Sequence, residues 1–75
     1  MITYLTLYVA ADGERASEVT RRLKELGFET TLGTNDFAYR WKEKSVTPET
    51  VIAFVDPVQS KLKGTGVLMQ FTTVP

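Results

Sequence analysis

The strongest constraint on the fold is a two-residue alternation of aromatic and basic side chains in the segment Asp36–Lys44, which reads DFAYRWKEK. Successive side chains of a β-strand point to opposite faces of a sheet, so this segment needs one covered face and one wet face. Burying the basic set would place Arg40 and Lys42 in a small core as unpaired ions, which costs several kcal/mol for each ion. We therefore predict that the aromatic set faces the core: Phe37, Tyr39 and Trp41.

The first part of the chain predicts a strand followed by a helix. Ile2–Ala10 alternates, with an inward set (Leu5, Leu7 and Val9) and an outward set (Tyr4, Thr6 and Tyr8). Asp12 is predicted to be the N-cap of a helix over about residues 13–26, and Gly27 to take the left-handed position that ends it. The apolar stripe of this helix comprises Ala16, Val19, Leu23 and Leu26.

The middle of the chain predicts a hairpin and a second helix. Phe28–Leu32 and Phe37–Glu43 read as paired strands on either side of a turn. Thr47 and Pro48 suit the cap and first position of a helix whose apolar stripe is Val51, Phe54, Val55, Val58 and Leu62.

Proline inside this second helix leaves its form open. We expect a kink at Pro57, or a restart with Asp56 as a new cap. The alternative is that residues 50–55, TVIAFV, form a strand. Gly64 is predicted to end the segment. The last strand is Val67–Val74, with Val67, Met69 and Phe71 facing inward and Leu68, Gln70 and Thr72 facing outward.

The element order strand, helix, strand, strand, helix, strand predicts an α+β fold. Two strand-helix-strand units with right-handed crossovers give a ferredoxin-like βαββαβ two-layer sandwich. Its four-stranded antiparallel sheet has the first and third strands in the centre and both helices on one face. We predict a single ferredoxin-like domain over residues 1–75.

Composition excludes several functional classes. The 75 residues contain no cysteine and no histidine, so disulfides, thiolate chemistry and the commonest zinc ligands are absent. Nine basic and nine acidic residues cancel, which removes a global field for nucleic acid or anionic lipid. No apolar run approaches the roughly 20 residues of a membrane span. We expect a cytoplasmic protein without a cofactor or bound metal, and its small size leaves oligomerisation open.

The uncovered face of the predicted sheet is the candidate working surface. Tyrosines interleaved with cations can stack planar groups and hold phosphates, so we expect a non-catalytic binding or assembly module for an anionic ligand or nucleic acid. Two alternatives stay open: a solvated face, or a homodimer formed through this face or through the edge of the second or fourth strand. The candidate ligand-binding residues are Tyr4, Thr6, Tyr8, Arg40, Lys42, Lys44 and Gln70.

Two short stretches resemble the sheet signatures of the RNA-recognition motif. These are LYVAA, Leu7–Ala11, and DFAYRW, Asp36–Trp41. The resemblance implies bases stacked on exposed aromatic rings. However, Arg40 stands where that family has a buried apolar residue, and this difference favours core positions for Phe37 and Tyr39.

In element order and in the helix ending RRLKELGF, the chain resembles the CRISPR-associated adaptation nuclease-like proteins and the virulence-associated protein D group. That resemblance implies a homodimer and metal-dependent nucleic-acid cleavage, with Asp12 as the one position carried over. A metal-dependent nuclease using Asp12 is therefore a further alternative, although aspartate directly before a helix more often serves as a cap.

Overall fold

The computed structural model describes residues 1–31, 36–42 and 46–75, which form a two-layer structure of one sheet and two helices. Its strands make one antiparallel sheet in the order β2-β3-β1-β4, so the first and third strands are central. This is the predicted α+β ferredoxin-like sandwich. The elements are β1 (Ile2–Tyr8), α1 (Ala16–Glu25), β2 (Glu29–Thr30), β3 (Phe37–Arg40), α2 (Pro48–Leu62) and β4 (Leu68–Val74).

The core lies between one face of the sheet and the two helices. Leu5 and Phe37 from the sheet pack with residues of both helices in one buried cluster. The partly buried residues against this cluster are Leu7, Leu26, Tyr39, Phe54, Val67, Met69 and Phe71. The inward set predicted for β4 is therefore confirmed. Val9 was predicted to face inward and this is wrong, because β1 ends at Tyr8 and Val9 is exposed beyond it.

The aromatic residues of β3 and its end face the helices, as the alternation predicted. The ring of Tyr39 lies 4.4 Å from that of Phe54 in α2, and the ring of Trp41 lies 5.0 Å from it, centroid to centroid. Phe28, just before β2, joins them at 5.7 Å from both Tyr39 and Phe54. A four-ring cluster thus joins the β2 side of the sheet to α2.

The start of α1 differs from the prediction. The helix begins at Ala16 with Arg15 in the N-cap position, so the assignment of Asp12 as N-cap is wrong. The residues after Asp12 are held in a turn instead, because the Gly13 amide donates to the Ala10 carbonyl at 3.1 Å. Ala16, predicted to be on the apolar stripe, is exposed at this end.

The end of α1 follows the prediction. Gly27 has φ +97°, the left-handed conformation that an L side chain rarely adopts. Its amide donates to the Lys24 carbonyl, and the Phe28 amide donates to the Leu23 carbonyl at 3.1 Å, which together form a Schellman motif. The side chains of Phe28 and Leu23 are both buried in the core, so the motif also fixes the chain entering β2.

One continuous helix contains Pro57, so both the restart at Asp56 and the strand alternative are wrong. Thr47 caps it as predicted, its hydroxyl oxygen accepting from the Thr50 amide at 3.2 Å. The proline is tolerated because it and Ala53, whose carbonyl loses its helical partner, are both exposed. Val58, the next residue, is fully buried and holds the second half of the helix to the sheet.

Two loops pack tightly where β1 ends and β4 begins. Gly64, with φ +85°, ends α2 as predicted. The Glu14 amide donates to the Thr65 carbonyl at 3.0 Å, and Thr65 itself is buried. A Cβ at Gly13 would lie 2.6 Å from the same carbonyl oxygen, so only glycine fits there. The β1–α1 and α2–β4 connections are thereby joined backbone to backbone.

Candidate functional site

The open face is the side of the sheet opposite the helices, and it carries most of the predicted binding residues. Tyr4, Thr6 and Tyr8 alternate with the inward residues of β1, and their cross-strand partners in β4 are Thr72, Gln70 and Leu68. Arg40 is on the same face, opposite Ile2. Lys42 is exposed just beyond β3, while Lys44 lies outside the described residues.

The register separates these residues rather than gathering them. Arg40 is opposite Ile2 at one end of β1, whereas Tyr8 is at the other end. Six residues at roughly 3.3 Å each place the two about 20 Å apart along the strand. The open face therefore has a charged end at Arg40 and an apolar end, where Tyr8 is 57% exposed and Leu68 is 71% exposed.

Arg40 has an anionic neighbour that the sequence analysis missed. Its Nε lies 3.4 Å from a carboxylate oxygen of Glu29, and both side chains are largely exposed. Glu29 is on the open face because it pairs with Ala38, two residues before Arg40. An exposed pair of this kind contributes about 0–1 kcal/mol, so a ligand anion can compete for the guanidinium. The alternation of side chains along β2 was the sequence signal from which Glu29 could have been placed beside Arg40.

A buried polar chain crosses the sheet on its helix side. The Trp41 indole Nε1 donates to the Thr3 hydroxyl oxygen at 2.7 Å, and the Thr3 and Thr73 hydroxyl oxygens lie 2.8 Å apart. Thr3 is fully buried, and this chain satisfies its hydroxyl. This chain was not predicted from the sequence. Two threonines at inward positions of apolar strands were the available signal.

The backbone bonds of β1 show which way its peptide groups point. The Met1 carbonyl accepts from the Trp41 amide at 3.1 Å, and the Leu5 carbonyl accepts from the Asp36 amide at 3.1 Å. The Leu7 amide donates to the Asp36 carboxylate at 2.7 Å. The peptide groups of the odd-numbered residues Met1, Leu5 and Leu7 thus point towards β3. In an antiparallel sheet the next residue points the other way, so the even-numbered residues face β4.

The outward groups of β4 follow from its register. Tyr4 pairs with Thr72 and Thr6 with Gln70, so the even-numbered residues of β4 form the ladder with β1. The odd-numbered residues, Met69, Phe71 and Thr73, consequently point their N–H and C=O groups away from the sheet. Within residues 1–31, 36–42 and 46–75, no backbone group pairs with them. We call this row the outer edge of β4.

An apolar cleft of about 370 Å³ lies beside the end of β4. Ile52, in the first half of α2, is 65% exposed at this cleft. Ile52 was not among the predicted functional residues, because it lies off the stripe of α2 that packs on the sheet. The lining residues are Met1, Val46, Pro48, Val51, Ile52 and Thr73.

Asp12 is exposed in the turn between β1 and α1. In the part of the chain that the structure describes, no group of three or more acidic, histidine or cysteine side chains lies close enough to hold a metal ion. The nuclease alternative therefore stays a prediction. Among the same residues, no helix combines the length and apolar character needed to cross a membrane.

Comparison of the chain with protein-family models, with curated proteins and with solved structures gave no match. The two resemblances drawn from the sequence therefore stay predictions.

Proposed function

We propose that the chain is a non-catalytic assembly module that binds a partner β-strand along the outer edge of β4. The observation that carries the proposal is the row of outward peptide groups at Met69, Phe71 and Thr73 in a seven-residue edge strand. Strand addition of this kind gains affinity from main-chain hydrogen bonds and specificity from alternate side chains.

The strand lacks the features by which proteins usually protect an edge. Natural edge strands are short, carry charges, contain proline or bend at a bulge. β4 reads LMQFTTV, without a charged residue or a proline inside it. Its side chains are also suited to pairing, because β-branched and aromatic residues favour extended structure.

Hydrogen exchange at individual amides tests the proposal. The probe is a peptide with the sequence of residues 67–75, added to the isotope-labelled chain. We expect the amides of Met69, Phe71 and Thr73 to become at least tenfold more protected than in the dilute chain without peptide. The amides of Gln70 and Thr72 are the internal control, since they already bond to β1 and should change little. Outward amides that stay unprotected both with millimolar peptide and at millimolar chain without peptide would overturn the proposal.

Binding of an anionic ligand at the charged end of the open face is a second candidate. It is favoured by the Arg40 guanidinium, whose side chain is 63% exposed although it pairs with Glu29. Lys42, also exposed, follows two residues later. Tyr8 is excluded from this smaller site by its distance, so the candidate is reduced to Tyr4, Arg40 and Lys42.

A salt titration with short single-stranded RNA tests this second candidate. Phosphate contacts make the logarithm of affinity fall linearly with the logarithm of salt concentration, and Arg40→Ala with Lys42→Ala should reduce that slope by about 1 to 2. Glu29→Gln is the matched opposite variant, because it removes the competing carboxylate and should strengthen binding. Absence of binding at low salt would eliminate the candidate.

A further inference from the structure

We infer that the strand which pairs with β4 is β4 of a second copy, related by a two-fold axis at Phe71. This inference depends on the proposed function and names its partner. The product is an eight-stranded antiparallel sheet with all four helices on one side. In this arrangement Phe71 lies opposite the partner's Phe71, and Met69 lies opposite the partner's Thr73.

The register follows from the direction of the peptide groups. Only odd-numbered residues of β4 offer outward groups, so an antiparallel pair of β4 strands must match odd residues with odd residues. Of the two-fold axes that do so, those at Gln70, Phe71 and Thr72 pair the most outward groups within β4. An axis at Phe71 uses all three outward residues of each strand and gives about six ladder bonds, whereas the other two registers give about four within β4.

The side chains fit the Phe71-centred register on both faces. On the helix side, the partner's Met69 would lie beside Thr73, which lines the apolar cleft together with the exposed Ile52. Methionine is flexible and fills irregular apolar gaps well. On the open face, the exposed Leu68 would lie beside the partner's Val74. The edge, the cleft and an exposed apolar residue would thus be covered by one strand.

Charge is compatible with a second copy as the partner. The chain has a formal net charge of zero, so two copies do not repel each other at long range.

Engineered cysteines test the register directly, because the chain has no cysteine of its own. Gln70→Cys and Thr72→Cys are prepared as separate variants at exposed positions, one of them with an added mass tag, then mixed in reductant and slowly oxidised. With the axis at Phe71, Gln70 lies opposite the partner's Thr72 in a non-hydrogen-bonded pair with Cα atoms about 4.5 Å apart, within disulfide range. We expect the mixed disulfide to form at least tenfold faster than either symmetric one.

The other outcomes overturn the inference in distinguishable ways. Faster Gln70→Cys self-linking means an axis at Gln70, and faster Thr72→Cys self-linking means an axis at Thr72. Linking no faster than that of Thr30→Cys, on the other edge strand, shows that β4 does not pair with itself. If the outward amides are nevertheless protected by the added peptide, the edge does accept a strand and only the assignment of a second folded copy as its partner is wrong. If they are not, both proposals fail.

Discussion

The two edge strands of this sheet, β2 and β4, differ in how many of their residues point peptide groups outward. β2 has two residues, and only Thr30 within it points its peptide groups outward, because Glu29 forms the ladder with β3. The amide of the preceding Phe28 is already used by the Schellman motif. β4 has seven residues and three that point outward. The same fold therefore carries one closed edge and one open edge.

Charge reinforces the difference between the edges. β2 carries Glu29 and its ion pair with Arg40, whereas β4 carries no charged residue. Charged side chains on an edge strand oppose pairing with other strands, since association would desolvate them. The two edges therefore differ in what they offer a further strand: β2 offers the peptide groups of one residue beside a charged pair, and β4 offers those of three residues without a charge.

The largest expected effect concerns how firmly each edge strand is anchored to the core of the monomer. Phe28→Ala should lower the free energy of unfolding by about 3–5 kcal/mol, because Phe28 is buried and contacts the rings of Tyr39 and Phe54. Phe71→Ala should cost about half as much, since its ring is only partly buried. Denaturant unfolding at low micromolar concentration measures both. Equal costs would show that β4 is as firmly anchored as β2.

The next largest effect is expected from introducing charged side chains on β4. Gln70→Lys with Thr72→Lys should weaken self-association at least tenfold, because each lysine would lie opposite a lysine of the partner. Thr30→Lys on β2 is the matched control and should leave association unchanged. Sedimentation over a concentration series gives the dissociation constants. Mixing the lysine variant with Gln70→Glu and Thr72→Glu should restore association, and failure to do so would argue against self-pairing.

A smaller effect concerns the buried chain that connects the two halves of the sheet. Thr3→Val should cost about 1–3 kcal/mol, because the Trp41 indole N–H would lose its acceptor in a partly buried site. Thr73→Val should cost less, since Thr3 can still accept from Trp41. Thermal unfolding of the two variants side by side checks the order. A larger loss of stability for Thr73→Val than for Thr3→Val would show that the hydrogen bond to β4 contributes more than the bond to Trp41.

The smallest expected effect lies far from both edges, on α1. Hydrogen bonding to the Arg21 guanidinium lowers the pKa of Glu18 from 4.5 to about 2. Because the pKa of Glu18 is lower in the folded than in the unfolded chain, its carboxylate stabilises the fold at pH values above 4.5. This stabilisation is lost as the pH falls from 4.5 towards 2. Glu18→Gln should therefore flatten the dependence of stability on pH in this window. Association through β4 should not change with the same substitution, because no group on that strand titrates.

The fold could be predicted from the sequence because hydrophobic periodicity changes clearly from element to element. The alternation around Arg40 determined which face of the sheet is covered, and the cost of burying unpaired ions made that choice firm. The ends of helices and strands were harder to predict from the sequence. Alternation continues through Val9, but β4 begins at Leu68 opposite Tyr8, so the ladder ends one residue earlier.

The candidate site was less accessible to sequence reasoning. Residues that share a face were identified correctly, but the register that separates Arg40 from Tyr8 depends on pairing between distant strands. The directions of the β4 peptide groups depend on the same register. Asp12 was a chemically suitable cap, yet the Gly13 amide bonds to Ala10 and the Glu14 amide to the Thr65 carbonyl, and the helix starts only at Ala16.

The polar chain on the helix side also gives the protein a built-in optical reporter. Trp41 is the single tryptophan, and its indole N–H is bonded to Thr3, which bonds in turn to Thr73 at the outer edge of β4. Indole emission responds to hydrogen bonding and polarity at that nitrogen. A change at the edge strand should therefore be visible as a shift in emission wavelength from the unmodified chain, without any label.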